Sequence, residues 1–452
     1  MDKNLIALTH VCRDWREVLI AHSSLWARLD CTNAKKTHVY IERSKSSPLV
    51  IALYKSRDSF YLKDVLPLVI PHISRVTSIS IIGNENTLQG STKCVSCPVP
   101  LLRKLAIDLT CKSPPVLSGT LFNGDLSSLC TLSLGGVIPH LPWKNLSRLT
   151  TFVLHHVMPN KISVTRLLDF FMNAPFLRDI ELYSIPDSSD APPGRVVSLP
   201  CIETLTVFAD RTHSSAFLSH LSLPSGALLH LEFDFSGDEF PLLDFLPGTT
   251  ENLQNISCIT SVYFDVNSAE ISVGLDGSTG SLFMCGYRVD WPKAIMVGSD
   301  RRVLRSLDYF PPSGTQRLAI TNYESPGPEE IDVSSHILDG MKDLRTLRLI
   351  QCNNLPFILA LNPNRNFLKL TLCPELEELI LYINEGSFNI GELTSMAKER
   401  ASQGAKLSSI TIVGLGFMPG EVLGLGEHVA RVEYRVKDEP PQWDSAFGDE
   451  KD

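Results

Sequence analysis

A short hydrophobic pattern recurs along most of the chain, with two leucine-like residues three positions apart and a third two positions later. One residue, most often polar, separates the last two, so each copy ends in alternating positions. This alternation predicts a short β-strand with one buried face. The clearest copies are centred on Leu132, Phe152, Ile180, Leu205, Leu347, Leu379 and Ile410.

The spacing of these copies predicts a stack of small units. Apart from the step between Val262 and Leu318, successive central residues lie about 20 to 32 positions apart once weaker copies are included, close to the period of leucine-rich repeats. One such strand cannot bury its apolar face alone, but stacked parallel copies share a continuous core. The sequence therefore predicts an α/β solenoid, with parallel strands on a concave face and helices and loops on a convex face. The weaker copies are centred on Ile51, Ile79, Leu105, Leu231, Val262 and Leu318.

Two features leave an alternative open. The Asn or Cys that usually follows the last strand leucine of such repeats is mostly absent, so an ordinary α/β domain with leucine-rich strands remains the competing interpretation. The spacing also becomes irregular between Val262 and Leu318, where Leu282 and Leu307 are both candidates for the central residue of a further strand.

The segments that connect one strand to the next differ in their predicted secondary structure. One is predicted to be a helix with Val164, Leu167, Leu168 and Phe171 on one face. Another helix is predicted over residues 391–404, ending near its C-terminal glycine. The remaining returns are rich in Pro, Gly and Ser, which favours loops and single turns.

The N-terminus follows a helical period instead. Apolar residues three or four positions apart predict one amphipathic helix, followed by a Ser-Leu-Trp turn and a second helix that leads into the first repeat strand at Leu49. The apolar stripe consists of Leu5, Leu8, Val11, Cys12, Trp15, Val18 and Leu19.

Composition and charge argue against several classes of partner and location. The 452 residues carry a net charge of −9, which argues against a nucleic-acid partner. No apolar run of about 18 residues occurs, so no membrane span is expected. The eleven cysteines have no framework spacing and no secretory signal precedes them, which favours the cytoplasm, the nucleus or both.

Motifs for catalysis, cofactors or metals are missing from the sequence. It has no phosphate-binding loop, no Gly-x-Ser-x-Gly elbow and no His-Glu-x-x-His. Cys94 and Cys97 form a lone Cys-x-x-Cys without a second pair, and His155 and His156 are interpreted as ordinary histidines. We therefore expect a protein that is not an enzyme and has no catalytic, cofactor-binding or metal-binding residues.

The string HVCRDWREVLIAHSSLWARLD, followed by ERSKSSPLVIAL, resembles the second half of the F-box in fungal, basidiomycete-type F-box proteins. The resemblance rests on a V-C-R-x-W-R helix, an S-L-W turn and an R-S-x-x-x-P-L strand entry, and it covers about residues 5–53. It implies a substrate-recognition subunit of an SCF-type ubiquitin ligase. In that family the F-box docks on the Skp1 adaptor and a degenerate leucine-rich solenoid holds the protein substrate.

The match departs from the family in one respect. The family's F-box opens with a Leu-Pro-x-Glu helix, whereas Met1 lies just ahead of the V-C-R segment, so we expect an N-terminally incomplete F-box. The alternative is a protein-binding scaffold whose F-box remnant only caps the solenoid and recruits no Skp1, with Trp15 and Trp26 as core residues. The resemblance implies adaptor contacts by Leu5, Leu8, Val11, Cys12 and Trp15.

Three segments are therefore predicted: a partial F-box over 1–47, a degenerate solenoid over 48–436 and an acidic disordered tail over 437–452. Polar strand positions would line the concave face. There they would form a mildly acidic patch with aromatic residues, suited to a peptide of basic or mixed charge. A solvated face without a ligand is the alternative. The candidate substrate-binding residues are Asp179, Glu181, Tyr183, Phe208, Glu232, Asp234, Arg348 and Tyr382.

Overall fold

The structure is a computed structural model in which the chain forms two units. Unit 1 contains Met1–Phe208 and His220–Pro224, and unit 2 contains Ala209–Ser219 and Ser225–Asp452. The described residues are 2–54, 61–88, 96–111, 113–117, 121–124, 126–141, 143–155, 162–183, 185, 190–208, 211–235, 245–256, 259–266, 270–277, 280–288, 314–321, 331–350, 352–383, 389–414 and 424–436. Cys94, His156, Leu307 and the predicted tail at 437–452 lie outside these residues.

Unit 1 is an α/β unit built on a parallel sheet. Its strands follow one another in space in chain order, and every described pairing in it is parallel. A separate parallel pair is formed by β8 (Val197–Ser198) and β10 (Leu221–Ser222). The strands of the sheet are β1 (Arg28–Leu29), β2 (Leu49–Tyr54), β3 (Val76–Gly83), β4 (Lys104–Leu109), β5 (Thr131–Gly135), β6 (Thr151–His155), β7 (Asp179–Tyr183) and β9 (Thr204–Phe208).

The strand register of unit 1 confirms the predicted parallel pairing of the central residues. Each central apolar residue of the sequence pattern pairs with the central residue of the next copy, and each of them is almost fully buried. Backbone hydrogen bonds just before each strand extend this stacking, as in Arg103 N–H to Thr77 O at 2.8 Å. The paired central residues run from Ile51 through Ile79, Leu105, Leu132, Phe152 and Ile180 to Leu205.

A helix packs on the face of the unit 1 sheet that contains the buried central residues. The predicted helix at Val164 is confirmed, and Ser163 caps it by accepting the backbone N–H of Arg166. Phe170 of this helix packs on Phe152 with ring centroids 4.6 Å apart. The helices are α1 (Asp2–Leu8), α2 (Arg13–Ala21), α3 (Ala34–Ser44), α4 (Tyr61–Val69) and α5 (Val164–Met172), with 3₁₀ turns at Ser23–Trp26, Ile70–Arg75 and Leu121–Gly124.

The prediction of a single N-terminal helix is wrong, because the chain breaks between α1 and α2. The Thr9 hydroxyl donates to the Ile6 carbonyl at 2.6 Å, and Arg16 Nε donates to the Thr9 carbonyl at 2.8 Å. Cys12 is extended, with φ −154°, and its sulfur accepts the Trp15 N–H at 3.5 Å. These bonds satisfy polar groups that a continuous helix would have paired internally.

Unit 2 is also α/β, with a mostly parallel sheet. The predicted helix near Gly404 is confirmed as the last helix of the unit, and Gly404 itself has φ +83°. The helices are α6 (Arg211–Leu218), α7 (Ile331–Asp339), α8 (Leu355–Leu361) and α9 (Ile390–Ser402). The strands are β11 (Leu228–Phe235), β12 (Ile259–Val266), β13 (Glu270–Gly277), β14 (Ser281–Arg288), β15 (Arg317–Thr321), β16 (Thr346–Ile350), β17 (Glu378–Ile383), β18 (Ser409–Gly414) and β19 (Arg431–Val436).

The described part of the stretch between Val262 and Leu318 contains an antiparallel strand. Strand β13 pairs antiparallel with both β12 and β14, so the expectation of parallel strands throughout fails here. Val262 pairs directly with Leu318, and Leu231 pairs with Met284 rather than with Val262. Of the two candidates for a further strand, Leu282 lies in β14, which pairs in parallel with β11, and Leu307 is outside the described residues. From β15 to β18 the predicted pairing of Leu318, Leu347, Leu379 and Ile410 is confirmed.

Candidate functional site

Helices α1 and α2 expose large apolar side chains. Val11, Trp15 and Val18 are 63%, 51% and 56% exposed, and Ile6 and Leu8 are also exposed. No residue of α2 is buried. We call these five residues the N-terminal apolar surface. Because exposed apolar groups of this size cluster on one short segment, the segment has the character of an interaction site.

The sequence-predicted adaptor residues divide into three groups. Leu8, Val11 and Trp15 belong to the N-terminal apolar surface. Leu5 is half-buried, and Cys12 is exposed but uses its sulfur to cap α2. The expectation that Trp15 is a core residue is wrong, because the break after α1 starts a new helix whose side chains face solvent.

Trp26 is the core residue of this segment, as predicted. Its side chain is 0% exposed, and its ring meets Tyr40 edge-on with centroids 5.1 Å apart. Its Nε1–H donates to the Leu19 carbonyl at 2.8 Å, and the Arg43 guanidinium lies 4.3 Å from the ring centroid. One side chain thus joins the end of α2 to α3.

Two contacts tie the segment to the first repeat. Strand β1 pairs with β2, with Leu29 opposite Ile51. Arg75 reaches the C-terminal end of α3, where it donates to the Lys45 carbonyl, to Ser44 Oγ at 3.1 Å and to the Ser47 carbonyl at 3.3 Å. Arginine at a helix C-terminus satisfies carbonyls that lack helical partners.

The open face of the unit 1 sheet carries a second surface. The residue three positions after each central residue points to this face, and successive ones lie side by side on adjacent strands. We call these residues the aromatic row, because three of the seven are Tyr or Phe. The aromatic row consists of Tyr54, Ile82, Asp108, Gly135, His155, Tyr183 and Phe208.

A glycine in this row allows a contact across an intervening strand. His155 Nε2 lies 3.5 Å from Asp108 Oδ1, and Gly135 occupies the strand between them. A Cβ at Gly135 would lie 2.0 Å from His155 Nε2. Sequence reasoning missed this pair because Asp108 is remote in sequence. The shared position three residues after Leu105 and Phe152 was the signal that could have revealed it.

Half of the predicted substrate-binding residues lie at the aromatic end of the row or beside it on β7. Tyr183, 36% exposed, stacks on Phe208 with ring centroids 6.4 Å apart, and His155 meets Tyr183 edge-on at the same distance. Asp179 and Glu181, both half-buried, precede Tyr183 on the same face of β7. The structure therefore brings four predicted residues together with His155.

The other predicted residues belong to unit 2. Glu232 is half-buried and lies 3.5 Å from His230, whose ring meets Phe283 edge-on. Burial lowers the pKa of His230, and Glu232 opposes this shift. Asp234 lies in β11, but its side chain is outside the described residues. Arg348 and Tyr382 are half-buried on the neighbouring strands β16 and β17.

The described residues contain no cluster of three or more His, Cys, Asp or Glu side chains placed to hold a metal ion. None of the described helices has the length and hydrophobicity needed to cross a membrane. No family model matches the chain, and no curated protein is significantly similar to it.

Proposed function

We propose that this chain is the substrate-recognition subunit of an SCF-type ubiquitin ligase and has no catalytic activity of its own. In this proposal residues 1–47 act as an F-box-like segment that binds a Skp1-type adaptor. The repeats form a degenerate leucine-rich solenoid that binds a protein substrate, and the protein works in the cytoplasm, the nucleus or both. The N-terminal apolar surface is the observation that carries the proposal.

This surface has the properties of a docking helix. Trp15 and Val18 lie one turn apart on α2, and Val11 immediately precedes that helix. Amphipathic helices that bind in a partner's groove use apolar anchors at such spacing. Each large apolar side chain that becomes buried contributes about 1.5–3 kcal/mol. Because Trp26 fixes α2 to α3, these anchors are presented by an ordered segment.

Replacing Trp15 with alanine is expected to reduce capture of a purified Skp1-type adaptor at least tenfold, because a central aromatic anchor dominates such interfaces. The measurement is a pull-down of the adaptor by the full chain. Phe176→Ala is the matched control, since Phe176 is 54% exposed in the same unit but lies outside the N-terminal apolar surface. Equal capture by the Trp15→Ala variant and the wild type would show that Trp15 does not contribute to the adaptor interface.

The aromatic row supports the substrate side of the proposal. The carboxylates of Asp179 and Glu181 lie on the same face of β7 as Tyr183, whose ring stacks on Phe208. Aromatic faces and carboxylates both attract guanidinium and ammonium groups. We infer that this face favours a basic segment of the substrate.

Charge reversal at Glu181 tests this preference. The Glu181→Lys variant is expected to bind a fluorescent arginine-rich peptide about tenfold more weakly than the wild type does, because attraction at the face becomes repulsion. Fluorescence anisotropy measures the binding, and Glu203→Lys, a reversal at an exposed glutamate paired with Arg178 outside the row, is the control. The preference is wrong if both variants bind like the wild type.

A protein-binding scaffold without an adaptor is the second candidate. The pairing of β1 with β2 favours it, because this pairing makes the N-terminal segment a cap on the first repeat. Under this alternative the full chain binds the arginine-rich peptide and captures no adaptor.

A further inference from the structure

A cavity of about 380 Å³ lies within the N-terminal helical segment of unit 1. It is bounded by the end of α1, the inner side of α2, the Ser23–Trp26 turn and α3. Of the N-terminal apolar surface, only Ile6 lines it. The lining residues used below are His10, Arg16, Lys35, Lys36, Tyr40 and Arg43, together with Trp26, Ile20 and Val39.

The rim of this cavity is cationic. Arg16, Lys35, Lys36 and Arg43 all line it, and the His10 imidazole lies beside them. Among the described residues that line it, none is acidic. Because Asp30 offsets the charge of Lys36, the positive potential that attracts an anionic group comes mainly from Arg16, Lys35 and Arg43. The chain as a whole has the opposite charge, −9, so this is a local feature.

Three of these cations are held in place by the surrounding structure. Arg16 is fixed by its bond to the Thr9 carbonyl, and Arg43 is fixed by its position over the Trp26 ring. Lys36 forms an ion pair with Asp30 and lies 5.4 Å from the Tyr40 ring centroid. Cations that are already ordered lose less conformational entropy when an anion binds.

The cavity also has an apolar side. Trp26 and Tyr40 form its buried floor, and Ile6, Ile20 and Val39 supply the accessible aliphatic lining. A bare inorganic anion would leave this apolar lining without a partner. A ligand that combines one large apolar group with flanking negative charges matches both parts of the cavity.

We propose that this cavity binds an acidic peptide segment of a protein partner, with one large apolar side chain inside and carboxylates at the cationic rim. The volume suits a single aromatic side chain with its adjoining backbone. A long polyanion such as a nucleic acid is disfavoured, because the net charge of the chain would repel it. This site goes beyond the proposed ligase function and requires neither the adaptor nor the aromatic row.

The test is a fluorescence anisotropy titration of the full chain with a fluorescein-labelled Asp-Glu-Phe-Glu-Asp peptide. The wild type is expected to bind it at least tenfold more tightly than labelled Asp-Glu-Ala-Glu-Asp. Lys35→Glu is expected to weaken binding about tenfold, and Lys35→Arg is expected to retain it. Lys35 is exposed in the first turn of α3, where glutamate is favourable, so the variant keeps the helix.

The control is Lys144→Glu, which reverses an exposed lysine of unit 1 away from the cavity. Unchanged binding by Lys35→Glu, or equal binding of the phenylalanine and alanine peptides, overturns the proposal. Competition by tripolyphosphate or a single-stranded oligonucleotide at lower concentration than the unlabelled peptide also overturns it, by identifying a bare-anion or nucleic-acid site. A chain that binds the peptide but captures no Skp1-type adaptor contradicts only the ligase function.

Discussion

Replacing Trp26 with alanine lowers the opening free energy of the α2–α3 segment by about 3–5 kcal/mol, the range found when a large aromatic side chain is removed from a core. The effect is large because Trp26 is fully buried and its ring contacts both Tyr40 and Arg43. Native-state hydrogen exchange of the α3 amides measures this opening free energy directly.

Trp15→Ala is the matched control for this prediction. Trp15 is 51% exposed on α2, so its removal leaves no internal cavity and costs less than about 1 kcal/mol of opening free energy. The two variants separate folding from binding, since Trp15→Ala is expected to lose adaptor capture while keeping the segment folded. Equal destabilisation by both substitutions would contradict the assignment of Trp26 as the anchor of the segment.

Replacing Arg400 with alanine is expected to lower the free energy of unfolding of unit 2 by about 3 kcal/mol, because two buried carbonyls lose their donor and a cavity forms. The Arg400 side chain is 0% exposed and donates to the Leu372 and Cys373 carbonyls at 2.6 and 2.8 Å. These bonds hold Cys373 in the left-handed region, with φ +47°, just before β17. Chemical denaturation monitored by circular dichroism measures the change.

The reactivity of the Cys373 thiol measures locally how the loss of Arg400 affects this turn. Burial raises the pKa of Cys373 to about 12, so iodoacetamide, which reacts with thiolates, spares it at pH 8 while exposed Cys12 reacts. Arg400→Ala is expected to make Cys373 reactive because the turn opens to solvent and burial no longer raises the thiol pKa, an effect that outweighs the loss of the Arg400 charge, which lowers this pKa. Arg400→Met, which fills the space but donates no hydrogen bond, isolates the hydrogen-bond contribution. Wild-type stability in both variants would show that the buried arginine is not needed to hold this turn.

The repeat could be predicted from the sequence because its signal is local and strong. A buried strand residue recurs at a nearly constant step, and each predicted partner from Ile51 to Leu205 pairs as expected. The helices at Val164 and Ile390 were also predictable, because each has a buried apolar face and a side-chain cap at its start.

Other features depend on contacts that the pattern does not encode. The break between α1 and α2 is stabilised by Thr9, Cys12 and Arg16, although the apolar spacing continues through it. The antiparallel strand β13 has the same apolar alternation as a parallel strand, so its direction could not be read from hydrophobicity. Both errors arise because periodicity reports which face is buried and not which partner covers it.

The binding surfaces were predictable only in part. Tyr183 and Phe208 were identified from strand alternation, whereas the Asp108–His155 pair required the register of three strands and the space left by Gly135. The cationic cavity had no sequence signal, because its residues come from four elements and each charge alone is typical of an exposed helix.

Calorimetric titration of a purified Skp1-type adaptor into the full chain tests most directly the claim that the N-terminal segment recruits a ubiquitin-ligase adaptor. Saturable one-to-one binding with a negative heat-capacity change is expected, because apolar surface becomes buried. Trp15→Ala is also expected to weaken this binding, and Phe176→Ala is not. No binding by the folded wild-type chain would contradict the claim and leave the segment only as a cap on the repeats.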